Sequence, residues 1–232
     1  MWKTRSYEAE LIDMGPNFYS LTEYNHCLKI LDRIGRWLGG DVGTYAALDR
    51  MEPEPDSILD VGCGGGSFTN RLARKYPHAK VLGIDLNQQA IEYARSQNCP
   101  SNLSFESKEQ GKLEESPKSY DVVLSTLVCH HLSDEELIDF IKRAVLVARR
   151  RVIFNDLDRN PMAYYLFKFI GPICFRNRLV QHDGPLSILR SFKRQDWDYY
   201  LQQAGISPTN YRIRWQLAFR WIIEINCERK GE

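Results

Sequence analysis

Five short apolar runs, each separated from the next by a stretch of helical periodicity or a polar turn, predict an α/β fold on a doubly wound, mostly parallel sheet. The second observation is a glycine break directly after the first run, in Ile58-Leu59-Asp60-Val61-Gly62-Cys63-Gly64-Gly65-Gly66-Ser67. Strand, tight loop and helix in that order make a ligand site. Glycines let a ligand approach the backbone closely, and the following helix offers unpaired N–H groups and the positive end of its dipole. At the carboxyl edge of an α/β sheet such a loop takes a nucleotide-like ligand.

Taken in order, residues 17–39 carry apolar side chains at helical spacing and stop at Gly39-Gly40, and residues 42–51 read as a second short helix. Pro53-Glu54-Pro55 denies the chain regular hydrogen bonding and serves as a rigid linker, so residues 1–55 form an N-terminal helical cap segment and the main domain, 56–232, begins near Asp56. Helices are expected over 67–76, with Ser67 as cap, 88–97, 134–148 and 194–204; strands over 80–85, 103–107, 120–125 and 151–155 follow the first strand. Residues 211–215 and 219–225 alternate like a closing pair of strands, which brings the sheet to seven with an antiparallel last strand. Residues 160–190 break the rhythm as an aromatic-rich helical insert after the fifth strand, interrupted by Gly171-Pro172.

Length and composition limit the classes of function. A chain of 232 residues with 43% hydrophobic and 26% charged residues forms one soluble domain with a sizeable core. Lys plus Arg (31) nearly balances Asp plus Glu (30), so no global basic field favours nucleic acid. No window is long and apolar enough for a membrane span and the start of the chain is too polar for a signal peptide, which leads to the expectation of a cytoplasmic protein without stable membrane association, as a monomer or homodimer. The six scattered cysteines show no Cys-x-x-Cys pair and no histidine stands at metal-ligand spacing, so no metal is expected.

A glycine loop followed by an acid at the end of the next strand, here Asp85, fits two ligand classes. A dinucleotide site requires Gly-x-Gly-x-x-Gly/Ala, and the third position falls on Ser67. Leu59-Asp60-Val61-Gly62-Cys63-Gly64-Gly65-Gly66 closely resembles instead the first motif of class I S-adenosylmethionine-dependent methyltransferases. Gly83-Ile84-Asp85-Leu86-Asn87 is similar to that family's second motif, residues 103–110 stand where it carries an acid near the adenine, and residues 120–132 resemble its fourth motif with a following His-Leu element. Residues 155–159 and 182–192 resemble the tail of a subgroup encoded beside polyketide or aromatic-metabolite enzymes.

The resemblance implies a Rossmann-like fold and S-adenosylmethionine as cofactor, held by Asp60, Gly62, Gly64, Gly66, Asp85, Leu86, Glu109, Gln110 and Ser125. Asp85 as acceptor for two ribose hydroxyls makes a charge-assisted contact, and Asp60 either orients the ammonium group or braces the loop. It implies further a small phenol-like or enol-like oxygen as methyl acceptor. Such an oxygen is a better nucleophile once deprotonated, and His130, His131 and His182 are the candidate bases, each with a plain structural role as the alternative. The insert at 160–190 either builds core or, together with the N-terminal helix, caps the acceptor pocket with Tyr164, Tyr165 and Phe169. Two other functions stay open: an RNA or protein methyltransferase, and an NAD-binding dehydrogenase or non-catalytic nucleotide-binding module.

Overall fold

The computed structural model describes residues 2–15, 17–108 and 115–228. Seven strands form one sheet: β1 (Ser57–Val61), β2 (Lys80–Asp85), β3 (Leu103–Ser107), β4 (Tyr120–Thr126), β5 (Ala148–Leu157), β6 (Tyr211–Gln216) and β7 (Arg220–Asn226). Their order is β3-β2-β1-β4-β5-β7-β6. The first five pair in parallel, and β7 inserts antiparallel between β5 and β6. The expected seven-stranded sheet with an antiparallel last strand is what the chain forms.

Helices cover both faces because adjacent strand residues point to opposite sides. Leu59, Val123, Val152, Phe154 and Ile223 pack on one side with α5 (Asp134–Val147) and α8 (Arg194–Gln203). Ile58, Val122, Leu124, Ile153 and Ile222 face the other, against α2 (Gly40–Leu48) and α3 (Ser67–Lys75). The alternation Ile58/Leu59 and Val122/Val123 is thus the double winding seen at residue level. Between β2 and β3, α4 (Gln88–Arg95) is capped by Asn87, whose side chain accepts from the N–H groups of Gln89 and Ala90. A reciprocal capping box between Ser133 and Glu136 starts α5.

Two parts of the chain flank this sheet. The N-terminal helix α1 (Leu21–Trp37) begins at Ser20, whose hydroxyl accepts from Glu23 N–H. The insert divides into α6 (Pro161–Cys174) and α7 (Arg178–Arg190), each started by an asparagine cap, Asn160 and Asn177. β5 runs longer than its apolar run suggests, because β4 and β7 pair along both of its sides.

Ahead of α1, the stretch before Gly15 is fixed to α7. Ser6 N–H donates to Leu189 O, and the N–H groups of Leu11 and Ile12 donate to the two oxygens of Asp183 at 2.8 and 3.0 Å. Arg5 is buried, donating to the carbonyls of Arg190 and Leu132 and pairing with Asp134 at 3.1 Å, with its guanidinium 4.5 Å over the Phe192 ring.

Candidate active site

The loop between β1 and α3 bends through three glycines of positive φ: Gly62 (75°), Gly64 (52°) and Gly66 (72°). Gly62 and Gly66 are also sterically required, since a Cβ on the first would meet Val128 at 2.2 Å and on the second Phe105 at 2.5 Å. Gly64 differs: a Cβ there would meet nothing within 4 Å. Its open side faces a cleft of about 1060 Å³ lined by the loop, Asp60, Asp85 and Leu86. That open cradle, next to an acid at the β2 end, fits a ligand with a diol and an adenosyl group.

Asp85 accepts from Gly64 N–H at 2.7 Å and from Asn87 N–H at 2.9 Å. Two backbone donors leave acceptor capacity on a carboxylate with about four lone-pair sites. Burial raises its carboxyl, and the backbone bonds oppose that rise. Asp60 is wholly buried, accepts from the Thr69 hydroxyl at 2.6 Å and is pushed up to about 7 by burial. It therefore ties the first turn of α3 to β1 while lining the cleft. Ser125 does not face the ligand space; its hydroxyl donates to Val61 O at 2.7 Å and its side chain is buried between strand ends. Glu109 and Gln110 lie outside the described residues.

The three histidines part company. After β4 the backbone turns sharply through Leu127, at φ 59°, into a 3-10 turn that carries His130 and His131. His131 lines the cleft; its Nδ1 stands 2.8 Å from Asp13 Oδ2. Burial alone would push this imidazole down, but the bond to Asp13 and the charges of Glu10 and Asp13 outweigh it and hold it up at about 9. His130 is buried with Nδ1 2.7 Å from Asp156 Oδ1. His182 sits outside the cleft, 45% exposed on α7, beside Asp183 at 2.8 Å. The carboxylate that His182 touches is occupied in holding the N-terminal segment, so His182 is not brought to the site.

Of the two segments expected beside the pocket, the N-terminal one supplies the lining and the aromatic side chains of the insert do not. Tyr7, Ile12, Tyr19, Tyr24 and Leu28 of the N-terminal segment line the cleft. Tyr164 packs edge-on against Trp2, and Tyr165 and Phe169 point to solvent; none of the three lines it. From the insert, Arg190 reaches the cleft. At the far end Arg71 of α3 bridges Asp32 and Asp41, at 2.6 Å each, and so clamps α1 and α2 over the loop.

Residues 58–151 match the family model described as a methyltransferase domain. The chain carries the class I methyltransferase fold. Among curated relatives it is 30% identical over 126 residues to a ubiquinone biosynthesis O-methyltransferase of Pseudomonas fluorescens (strain SBW25), covering 53% of each chain. It is also 30% identical over 158 residues to the ubiquinone biosynthesis O-methyltransferase of Bordetella parapertussis (strain 12822 / ATCC BAA-587 / NCTC 13253), covering 67% of this chain and 64% of the relative. The likeness therefore stops short of two thirds of either relative's length.

Among solved structures, the plantazolicin methyltransferase BpumL, in complex with a monoazolic desmethylPZN analog and SAH, aligns with a TM-score of 0.70 at 15% identity over 92% of this chain and 91% of its own. Magnesium protoporphyrin IX methyltransferase from Synechocystis PCC 6803, with bound SAH, aligns with a TM-score of 0.56 at 23% identity over 84% of both chains. At these identities the likeness is one of fold.

Sequence reasoning missed Glu10, Asp13, Asp156 and Arg190, which surround His130 and His131. Asp156 and Arg190 lay inside stretches already singled out for their resemblance; Glu10 and Asp13 carried no local signal at all.

Proposed function

We propose that this chain is an S-adenosylmethionine-dependent methyltransferase acting on a small aromatic or enolic hydroxyl. One observation carries the reading: a single cleft joins the glycine loop and Asp85 to His131, beneath a cap of N-terminal aromatic side chains. The 30% identity to O-methyltransferases supports oxygen as the methylated atom. A concave cleft with apolar and aromatic lining suits a small acceptor better than an RNA or protein chain.

S-adenosylmethionine, when bound, supplies an electrophilic methyl group on a sulfonium. Gly64 and the amino end of α3 leave backbone room for it, Asp85 would accept from its ribose hydroxyls, and Leu86 would offer an apolar surface to its adenine. The chain's own residues then act by placement. Tyr7, Ile12 and Tyr19 exclude water and hold the acceptor in line with the donor, the geometry on which a direct displacement at carbon depends. His131 marks the acceptor end, its Nδ1 fixed by Asp13.

Calorimetry tests the first half of this reading. S-adenosylhomocysteine should bind at micromolar concentration and NAD not at all, and Asp85→Ala should weaken the former by about 1–3 kcal/mol, the order for a hydrogen bond to a charged group. Tight NAD binding would overturn it. A screen of phenols, quinolones and pyrones with a labelled methyl donor identifies the acceptor, and label appearing only on added RNA or protein would replace the small-molecule reading.

A further inference from the structure

The geometry points to a binding site for one divalent transition-metal ion, zinc being the first candidate, formed by Glu10, His130 and His131. In both imidazoles Nδ1 is already engaged by a carboxylate, Asp156 at 2.7 Å for His130 and Asp13 at 2.8 Å for His131. A carboxylate on one ring nitrogen orients the ring and raises the basicity of the other, the arrangement that supports metal-bound histidines. The free nitrogens converge. His130 Nε2 lies 3.8 Å from Glu10 Oε1 and His131 Nε2 lies 3.9 Å from Glu10 Oε2. Neither separation is a hydrogen bond. All three donor groups offer atoms within 4.8 Å of one another, and the two rings lie 4.3 Å apart.

An independent observation concerns Glu10 itself. Its side chain is 3% exposed, and among the described residues Oε1 has no hydrogen-bond partner. A buried carboxylate oxygen without a partner is costly, and a cation between the three groups would satisfy it. Ser187 donates to the other oxygen at 3.0 Å and so fixes the carboxylate's orientation. Arg190 approaches Oε1 only to 3.6 Å, because its donors are directed at backbone carbonyls: Nε to His130 O at 3.0 Å, Nη2 to His131 O at 2.8 Å and Nη1 to Glu8 O.

Size and chemistry select the ion. Zinc bound at roughly 2.0–2.2 Å to nitrogen and oxygen places tetrahedral donors about 3.3–3.6 Å apart, so each imidazole needs to close on its nearest Glu10 oxygen by only about half an ångström, with all three donors already within 4.8 Å of one another. Two imidazoles and one carboxylate suit zinc or another first-row dication; magnesium and calcium favour all-oxygen sites. Sequence spacing hid the set, since Glu10 precedes the histidine pair by most of the nucleotide fold.

This site goes beyond methyl transfer and its test is independent of it. The full chain, stripped with a chelator, is titrated with Zn²⁺ against a competing indicator, and the loaded protein is examined by elemental analysis and X-ray absorption. One zinc per chain with a shell of two imidazoles and oxygen is expected, and Glu10→Gln and His130→Ala should each weaken uptake by roughly 10²-fold. Replacing the exposed His26 by Ala should leave it unchanged. Circular dichroism and S-adenosylhomocysteine binding report whether each variant is folded, and the absorption spectrum of the wild type needs no variant at all. Substoichiometric zinc, a sulfur-containing shell from the free cysteines, or wild-type uptake by folded Glu10→Gln would overturn the site. Those outcomes leave the proposed methyl transfer standing, and failure to bind S-adenosylhomocysteine leaves the metal site standing.

Discussion

Asp60 shows how sequence can fix one residue's place and leave its role open between two readings. Its position before the glycine loop follows from the motif, yet its carboxylate is wholly buried against Thr69, a fact set by how α3 packs on β1. Burial raises it to about 7, the Thr69 bond opposes this, and the charges of Asp85 and Asp41 add to the rise. A carboxyl raised in the folded chain above its unfolded value of about 3.9 favours folding while protonated. That contribution is fully present below about pH 4 and is lost as pH rises through 7. Asp60→Asn removes the titration. In urea unfolding at a series of pH values, wild-type stability should therefore fall relative to Asp60→Asn between pH 4 and 8, by an amount on the order of a few kcal/mol. A constant difference would show that Asp60 is ionised throughout. Glu10 and Asp13 lie at the opposite extreme: nothing near them in the chain predicts chemistry, because their partners are more than a hundred residues away.

At the scale of elements, periodic segments were legible and connections between them were not. The strands and helices of the sheet fall within a few residues of their apolar patterns, since burial on one face is a local instruction. The insert reads as helical, and its aromatic side chains suit either core or a lid over the acceptor pocket, since flat apolar groups suit a flat substrate. In the fold α6 turns Tyr165 and Phe169 outward, and the N-terminal segment takes the place over the cleft. What fixes that segment is Arg5, a charged residue in a polar stretch with no periodicity to mark it. Arg5→Ala would strand the carbonyls of Arg190 and Leu132 and remove the cation beside Asp134, leaving that carboxylate the Tyr7 and Tyr200 hydroxyls. We expect a loss of roughly 3 kcal/mol in chemical denaturation. Faster proteolytic cleavage ahead of α1, with the sheet resistant, should accompany it. Equal stability of the variant would mean that Arg5 contributes no more than an exposed ion pair. At the other end of the scale, Ser133→Ala breaks a capping box on the exposed start of α5 and should cost only about 1 kcal/mol by the same measurement.

For the molecule as a whole, the proposed cofactor half and the proposed acceptor half of the cleft come from different parts of the chain. The loop, Asp60, Asp85 and Leu86 belong to the β1–β2 region, which folds by local strand-helix-strand packing. The acceptor half is assembled from Tyr7, Ile12 and Asp13 against His131 and Arg190, contacts that exist only once the N-terminal segment docks on α7. Deleting residues 2–15 therefore separates the two halves. Affinity for S-adenosylhomocysteine should change by less than about tenfold, because Asp85 and Gly64 keep their mutual bond. Turnover should fall by ~10²-fold or more as the acceptor loses its positioning and its shield from water. Stability should fall too, since Asp183 and Arg190 lose backbone partners on the deleted segment, so affinity and turnover are compared at a temperature where circular dichroism shows the shortened chain folded. An unchanged turnover would place the acceptor elsewhere on the carboxyl edge of the sheet; equal losses of affinity and turnover would mean that the segment supports the whole cleft and not its acceptor half.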